Sequence, residues 1–206
     1  MSEVYRRAQY TGSAAQLDQL PADTGIEVAF AGRSNAGKSS AINTITQING
    51  LARISKTPGR TQMINFFTLD ETRALVDLPG YGFAKVPEKM KLQWQATLGK
   101  YLESRQSLKG LVLMMDCRHP MKEFDLQILL WAKAAALPLH ILLTKSDKLS
   151  RGAGNGVLQK VRQQLQRTDI PATVQLFSSL NKSGRDQAIS QLDEWFNLPE
   201  QPASAS

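Results

Sequence analysis

Eight consecutive residues carry the strongest chemical signal in the chain: Gly32-Arg33-Ser34-Asn35-Ala36-Gly37-Lys38-Ser39. Glycines at the first and sixth places, followed at once by lysine and a hydroxyl residue, form the pattern of a phosphate-binding loop. Gly32 and Gly37 permit a turn that aims successive backbone N–H groups at phosphate oxygens. A helix opening near Lys38 adds the positive end of its dipole. Lys38 is then placed to reach the β- and γ-phosphates of a nucleotide, and the Ser39 hydroxyl to ligate Mg²⁺. A glycine-rich turn without a ligand is the bland alternative. The apolar run before the loop and the helical spacing of Ala41, Ile42 and Ile45 after it favour the phosphate reading.

Asp77-Leu78-Pro79-Gly80 closes a second apolar run. A carboxylate at such a strand end can hold Mg²⁺ through water, and the Gly80 N–H can sense a γ-phosphate. Alone the pattern reads as a turn; after a phosphate loop it gains weight. Thr144-Lys145-Ser146-Asp147 ends the run Leu139–Leu143 and addresses the base. A carboxylate at Asp147 can accept two hydrogen bonds from guanine, whereas adenine offers no such donor pair and would leave the charge unpaired. The aliphatic stem of Lys145 can cover the ring. Phe177-Ser178-Ser179-Leu180 could present N–H groups to the guanine oxygen, although in isolation a serine-rich turn capping the next helix explains it equally well.

These motifs need a scaffold that brings strand ends together. Near-continuous apolar runs recur at Ile26–Ala31, Met63–Leu69, Ala74–Leu78, Leu111–Met115, Leu139–Leu143 and Thr173–Phe177. Such runs are expected of parallel strands covered on both faces. Between them, Met90, Trp94 and Leu98, then Val157, Val161 and Leu165, then Ile189, Leu192, Trp195 and Phe196 mark apolar helix faces. The alternation predicts an α/β fold, a P-loop NTPase G domain with a doubly wound, mostly parallel six-stranded sheet. The short link Asp70-Glu71-Thr72-Arg73 predicts one antiparallel edge strand. Residues 1–24 read as an N-terminal extension, 25–197 as the G domain and 198–206 as a disordered tail.

The 206 residues carry a net charge of +7. That surplus favours polyanions, nucleic acid foremost, against the plain alternative of a basic soluble protein. The charged start lacks a signal-peptide core, and no segment is apolar enough to span a membrane, so a cytoplasmic chain is expected. Cys117, the single cysteine, reads as a small buried side chain. His119 reads as a loop anchor, His140 as a core or hydrogen-bonded residue, and Trp94, Trp131 and Trp195 as core.

The order of the four motifs is that of a translation-factor-like G domain. Their detail goes further. The stretch from Gly32 to Ser40, Lys56-Thr57-Pro58-Gly59-Arg60-Thr61-Gln62, Asp77 to Gly82 and Arg118-His119-Pro120 closely resemble the bacterial EngB family, also called YihA or YsxC. These are ribosome-assembly GTPases with TrmE-Era-EngA-EngB-Septin-like G domains. The resemblance runs from about Leu20 to Phe196. It implies GTP and GDP as ligands, a role in large ribosomal subunit assembly, a need in cell division and septation, and the large subunit or its rRNA precursor as partner. A septation defect reads most simply as a consequence of poor ribosome supply. The residues alone leave Thr57 and Thr61 both open as the second Mg²⁺ ligand; the resemblance assigns Thr61. It also carries nucleotide contacts onto Gly59, Arg60, Thr61, Gln62 and Met63.

Tyr81 stands where many GTPases place a water-orienting glutamine, so slow intrinsic turnover is expected, completed by a charge from a partner or from K⁺. Asn35 resembles an asparagine that helps coordinate K⁺ in related GTPases; turn-forming chemistry explains it equally. Arg53, Lys56, Arg60, Lys85, Lys89 and Lys91 lie in or beside the nucleotide-responsive segments. They would couple RNA affinity to GTP state, or else form a solvated face. Two other readings compete. One is a GTP/GDP-sensing module with negligible hydrolysis. The other is an ATPase or small-molecule kinase, against which Asp147 argues. A monomer is expected.

Overall fold

The computed structural model describes residues 3–53, 63–81 and 88–199. The central strand is Ile26–Gly32, whose Val28 and Phe30 enter one apolar layer while Ala29 and Ala31 enter the other, all four buried. Strands β1 (Gln9–Ala14), β2 (Ile26–Gly32), β3 (Ile64–Thr68), β4 (Arg73–Asp77), β5 (Leu108–Asp116), β6 (Leu139–Thr144) and β7 (Ala172–Leu176) form one sheet. Their order is β1-β3-β4-β2-β5-β6-β7. From β4 to β7 all neighbours run parallel, and β3 runs antiparallel to β4.

Helices α1 (Lys38–Thr46) and α5 (Arg185–Trp195) cover one face, with Ile42, Ile45, Ile189 and Leu192 buried against Phe30, Val112 and Leu142. Helices α2 (Glu88–Ser104), α3 (Glu123–Ala134) and α4 (Arg151–Arg167) cover the other through Trp94, Leu98, Ile128, Leu129, Val161 and Leu165. Burying an apolar side chain of that size stabilises by roughly 1.5–3 kcal/mol, which is why the faces are legible as spacings. Trp195 lies so close to β5 that a Cβ on Gly110 would fall 2.2 Å from its ring.

Among the described residues the sheet has seven strands, not the six read from apolar runs. The added strand, β1, pairs antiparallel with the outer side of β3, so the antiparallel edge is present and one strand wider. Its sequence, QYTGSA, is exposed over its first half and buried only at Ala14, and its register is broken between Tyr10 and Gly12. Backbone hydrogen bonds to β3, the Ser13 hydroxyl on Asn65 at 2.6 Å and the buried Ala14 hold it in place, rather than a continuous apolar face. At the amino-terminal end of the central strand, Arg105 forks onto the buried Glu27 carboxylate at 2.6 and 3.0 Å, and the Tyr101 hydroxyl donates to it at 3.1 Å. A buried carboxylate needs such partners, because an unpaired one costs several kcal/mol. The pairing ties the end of α2 to the start of β2.

Candidate functional site

Strand β2 ends where its neighbours β4 and β5 also end, so three carboxyl termini meet at the point where the strand order reverses. Open α/β sheets bind ligands at that position. The Gly32–Ser39 loop starts there. Gly32 faces Met114 of β5 so closely that a Cβ would lie 3.0 Å from the Met114 carbonyl oxygen and 3.1 Å from its Cβ. Ala36 N–H donates to the Arg33 carbonyl at 2.9 Å, and Asn35 and Gly37 both take left-handed backbone, φ 63° and 89°. Gly37 caps α1, so the loop passes directly into a helix N-terminus. The expected strand–loop–helix arrangement is therefore present.

Strand β4 delivers the second motif to the same place. Leu78 N–H donates to the Phe30 carbonyl at 3.0 Å, and Ser34 N–H donates to the Tyr81 carbonyl at 2.7 Å. Leu78 and Pro79 are buried, so their side chains act as spacers and Gly80 lies against the Ser34 backbone. Asp77 pairs with Lys38, each side chain about one-tenth exposed, and Asn65 Nδ2 approaches the second Asp77 oxygen at 3.5 Å. Ser39 lies one residue further into α1. A hydroxyl on the first helical turn and a carboxylate on the adjoining strand end are few, hard oxygen donors. That set suits Mg²⁺, which keeps most of its shell as water and phosphate oxygens. Among the described residues no group of three or more His, Cys, Asp or Glu gathers as an all-protein metal site.

The base-directed motif splits into two jobs. Thr144 is buried, and its hydroxyl lies 2.6 Å from the Ala36 carbonyl and 3.1 Å from that of Met115. It therefore tethers the phosphate loop to β5 and β6. Lys145 takes left-handed backbone, φ 59°, with its carbonyl accepting from the Cys117 thiol at 3.3 Å. Its ammonium pairs with Asp116 at 3.0 Å. Arg118 binds the same carboxylate at 2.6 and 2.9 Å. The Arg118 hydrogen bonds, then Lys145, hold Asp116 far below the ordinary carboxylate range in spite of its partial burial. Burial pushes the Cys117 thiol up, so it stays protonated and can donate.

Asp147 follows in a single helical turn, Ser146–Lys148. Ser178, fully buried at the end of β7, donates to Asp147 Oδ1 at 2.6 Å. That bond, helped by Lys148 at 3.6 Å, depresses the Asp147 carboxyl and keeps it ionised. Ser146 N–H donates to the Phe177 carbonyl at 3.1 Å, clamping the two base-directed loops together. Phe177 itself is buried in the α1/α5 layer, and Ser179 is half-buried beside it. A cavity of about 220 Å³ lies beside the phosphate loop, lined by Arg33, Ser34, Asn35, Asp116, Arg118 and Lys145 among others.

The structure thus brings together Gly32 to Ser39, Asp77 to Gly80, Thr144 to Asp147 and Phe177 to Ser179, with Met63 at the entry to β3. Gly59, Arg60, Thr61 and Gln62 lie outside the described residues, as do Lys56, Thr57 and Lys85. Ser178 acts through its hydroxyl, a role the serine-rich motif does not disclose. Asp116 belongs to none of the sequence motifs, although it ends an apolar strand just as Asp77 does. Cys117 is buried, Trp94 is in the core, and Trp131 and Trp195 pack against it, whereas His119 is exposed and lines the cavity. His140 lies buried at 2.7 Å from the Thr173 hydroxyl and 2.9 Å from Gln175 Oε1.

Residues 27–145 match the family model described as 50S ribosome-binding GTPase. The chain is 61% identical over 198 residues to "Probable GTP-binding protein EngB" of Nitrosococcus oceani, covering 96% of this chain and 99% of that one. It is 55% identical over 193 residues to the protein of the same name from Enterobacter sp. strain 638, covering 94% and 93%. Its fold is similar to a crystal structure of a probable GTP-binding protein engB (TM-score 0.68, 19% identity, 83% of this chain and 98% of that one). It is also similar in fold to a point variant of Aquifex aeolicus Era bound to GDP·AlF4⁻ (TM-score 0.63, 18% identity, 89% and 60%). With the phosphate loop, the strand-end aspartate and the base-directed loops at one sheet edge, the chain belongs to the 50S ribosome-binding GTPases, within them to the EngB GTP-binding proteins.

Proposed function

We propose that the chain is a cytoplasmic, monomeric molecular switch that binds GTP and GDP, hydrolyses GTP slowly and acts in assembly of the large ribosomal subunit. Normal division and septation would depend on it through ribosome supply. The observation that carries the nucleotide reading is the hold of Ser178 on Asp147, which leaves an ionised carboxylate at the edge of the sheet. One oxygen is committed to Ser178, and the carboxylate keeps lone pairs for the paired donors of guanine. The family description supports the ribosomal partner, and the net charge of +7 suits an RNA-rich surface.

In this reading residues 25–197 form the nucleotide-binding domain. The backbone of Gly32 to Ser39 cradles the phosphates, and Lys38 exchanges Asp77 for the β- and γ-phosphates. Ser39 and Thr61 would hold Mg²⁺, with Asp77 acting through water. When bound, Mg²⁺ would supply positive charge to the phosphate oxygens. Gly80 N–H senses the γ-phosphate, residues Gly59 to Met63 add further nucleotide contacts, and the Lys145 stem covers the base. The basic residues Arg53, Lys56, Arg60, Lys85, Lys89 and Lys91 then present their charge to RNA in the GTP state. Asn35 is exposed at left-handed φ, a position at which it can both make the turn and offer its amide oxygen to K⁺.

Tyr81 favours a second reading, a GTP/GDP sensor with negligible hydrolysis, because the ring is buried and cannot orient a water. Single-turnover hydrolysis with and without large-subunit particles, in K⁺ and in Na⁺, separates the two. Stimulation is expected; no turnover in any condition leaves the sensor. Calorimetry with GTP and ATP tests the base assignment, and equal affinities would remove it. Co-sedimentation with ribosomal subunits in each nucleotide state tests the partner.

A further inference from the structure

Helix α4 has an outward face that the nucleotide chemistry does not use. Its seventeen residues, RGAGNGVLQKVRQQLQR, include no acid, and Arg151, Lys160, Arg162 and Arg167 are all exposed. Among the described residues none of these four forms an ion pair. A merely solvated helix face usually interleaves both signs, as α2, α3 and α5 do with Glu103, Glu123 and Asp186.

The arrangement of the face is more specific than its charge. At about 100° per residue, Arg151 and Arg162 fall along one border of the exposed surface and Lys160 and Arg167 along the other. The strip between them carries Asn155, Gln159, Gln163 and Gln166, together with Gly152 and Gly156, all exposed. These two glycines are unexplained by the chain's own packing: a Cβ on either would meet nothing within 4 Å. Gly154, by contrast, faces Leu176, whose Cδ1 would lie 3.3 Å from such a Cβ. Glycine is a poor helix residue, so two outward glycines lower the stability of α4 with no internal return. They do leave a low floor between two charged margins.

We propose that this face of α4 docks on duplex RNA, with Arg151 and Arg162 on the phosphates of one strand and Lys160 and Arg167 on those of the other. The amide strip then lies over the wide, shallow minor groove, whose 2′-hydroxyls both donate and accept hydrogen bonds. The glycines let the helix backbone approach. A lipid surface fits less well, because the apolar side of α4, Val161 and Leu165, is buried against the sheet and leaves nothing to insert. The contact lies outside the segments that sense the γ-phosphate, so it holds RNA alike with GTP and GDP. The inference rests on the ribosomal reading above and adds the surface that meets the particle.

The test uses the full chain, a 20-base-pair RNA duplex and isolated large ribosomal subunits, each titrated across a salt series. Combined Lys160→Gln, Arg162→Gln and Arg167→Gln substitution is expected to weaken duplex binding at least tenfold and to lower the salt slope by roughly 3, about one per cation removed. Guanine-nucleotide affinity stays unchanged, which reports intact folding. Gly152→Ala with Gly156→Ala is expected to raise Tm while weakening the duplex, a pairing that a structural role alone would not produce. Unchanged duplex affinity and slope in the triple variant overturn the α4 surface but leave the ribosomal reading standing, provided the unaltered chain binds subunits. If the unaltered chain binds neither duplex nor subunits, both fall. Preference for vesicles containing phosphatidylserine over the duplex overturns it in favour of a lipid partner.

Discussion

The Tyr81 hydroxyl donates to Asp125 Oδ1 across 2.6 Å, inside the layer where its ring meets Phe124 at 4.6 Å and Trp94 at 5.9 Å. Asp125 also accepts the Lys122 N–H at 2.9 Å, closing the first turn of α3. Burial first, and then Asp125, keep the phenol protonated, and burial raises the Asp125 carboxyl. The residue that follows Gly80 is therefore a buried anchor between the phosphate-sensing turn and α3. Its hydroxyl is committed to Asp125 inside the core.

Tyr81→Phe should lower stability by about 1–2 kcal/mol, because Asp125 loses a buried donor, and lower Tm by roughly 2–8 °C. Intrinsic GTP hydrolysis should stay within about twofold, since the hydroxyl faces the core. Thermal unfolding and single-turnover assays read the two effects separately. A tenfold fall in hydrolysis at unchanged Tm would show that the phenol serves the reaction.

At the base, Asp147→Asn turns one acceptor into a donor. Guanine-nucleotide affinity should fall on the order of 100-fold or more while xanthine-nucleotide affinity rises. Ser178→Ala should act in the same direction on GTP but more weakly, because it loosens the carboxylate without changing its chemistry. Calorimetry with GTP and XTP distinguishes the cases.

Thr144→Val keeps the shape of the side chain and removes its hydroxyl. The Ala36 carbonyl then loses its tether, and both GTP and GDP should bind roughly tenfold more weakly, corresponding to about 1.4 kcal/mol. Selectivity for guanine over adenine should survive, since Asp147 is untouched. Loss of selectivity would place Thr144 against the base instead.

His140 predicts a pH dependence. Burial lowers its pKa in the folded chain, partly offset by Gln175, so the folded state binds its proton less readily than the unfolded state. A depressed folded value means full stability above the ordinary histidine pKa of about 6.5 and progressive loss as pH falls below it. Tm should drop between pH 7 and pH 5, and His140→Gln should flatten that part of the profile. An unchanged slope in the variant would assign the effect to the carboxylates.

What the sequence determined by itself was local. The phosphate loop, the strand-end Asp77 and the Asp147 loop are contiguous runs whose spacing follows from backbone turns, and the buried strands and helix faces are periodicities of the same kind. Tertiary structure decided whatever joins distant residues. Thr144 meets Ala36 and Ser178 meets Asp147 because parallel register sets the strand ends level, and Tyr81 meets Asp125 because α3 packs over the turn that follows β4; no local pattern records either arrangement. Strand β1 has no apolar run for a related reason: backbone hydrogen bonds to β3 and polar side-chain bonds from Thr11 and Ser13 hold it, and these leave no periodicity to detect.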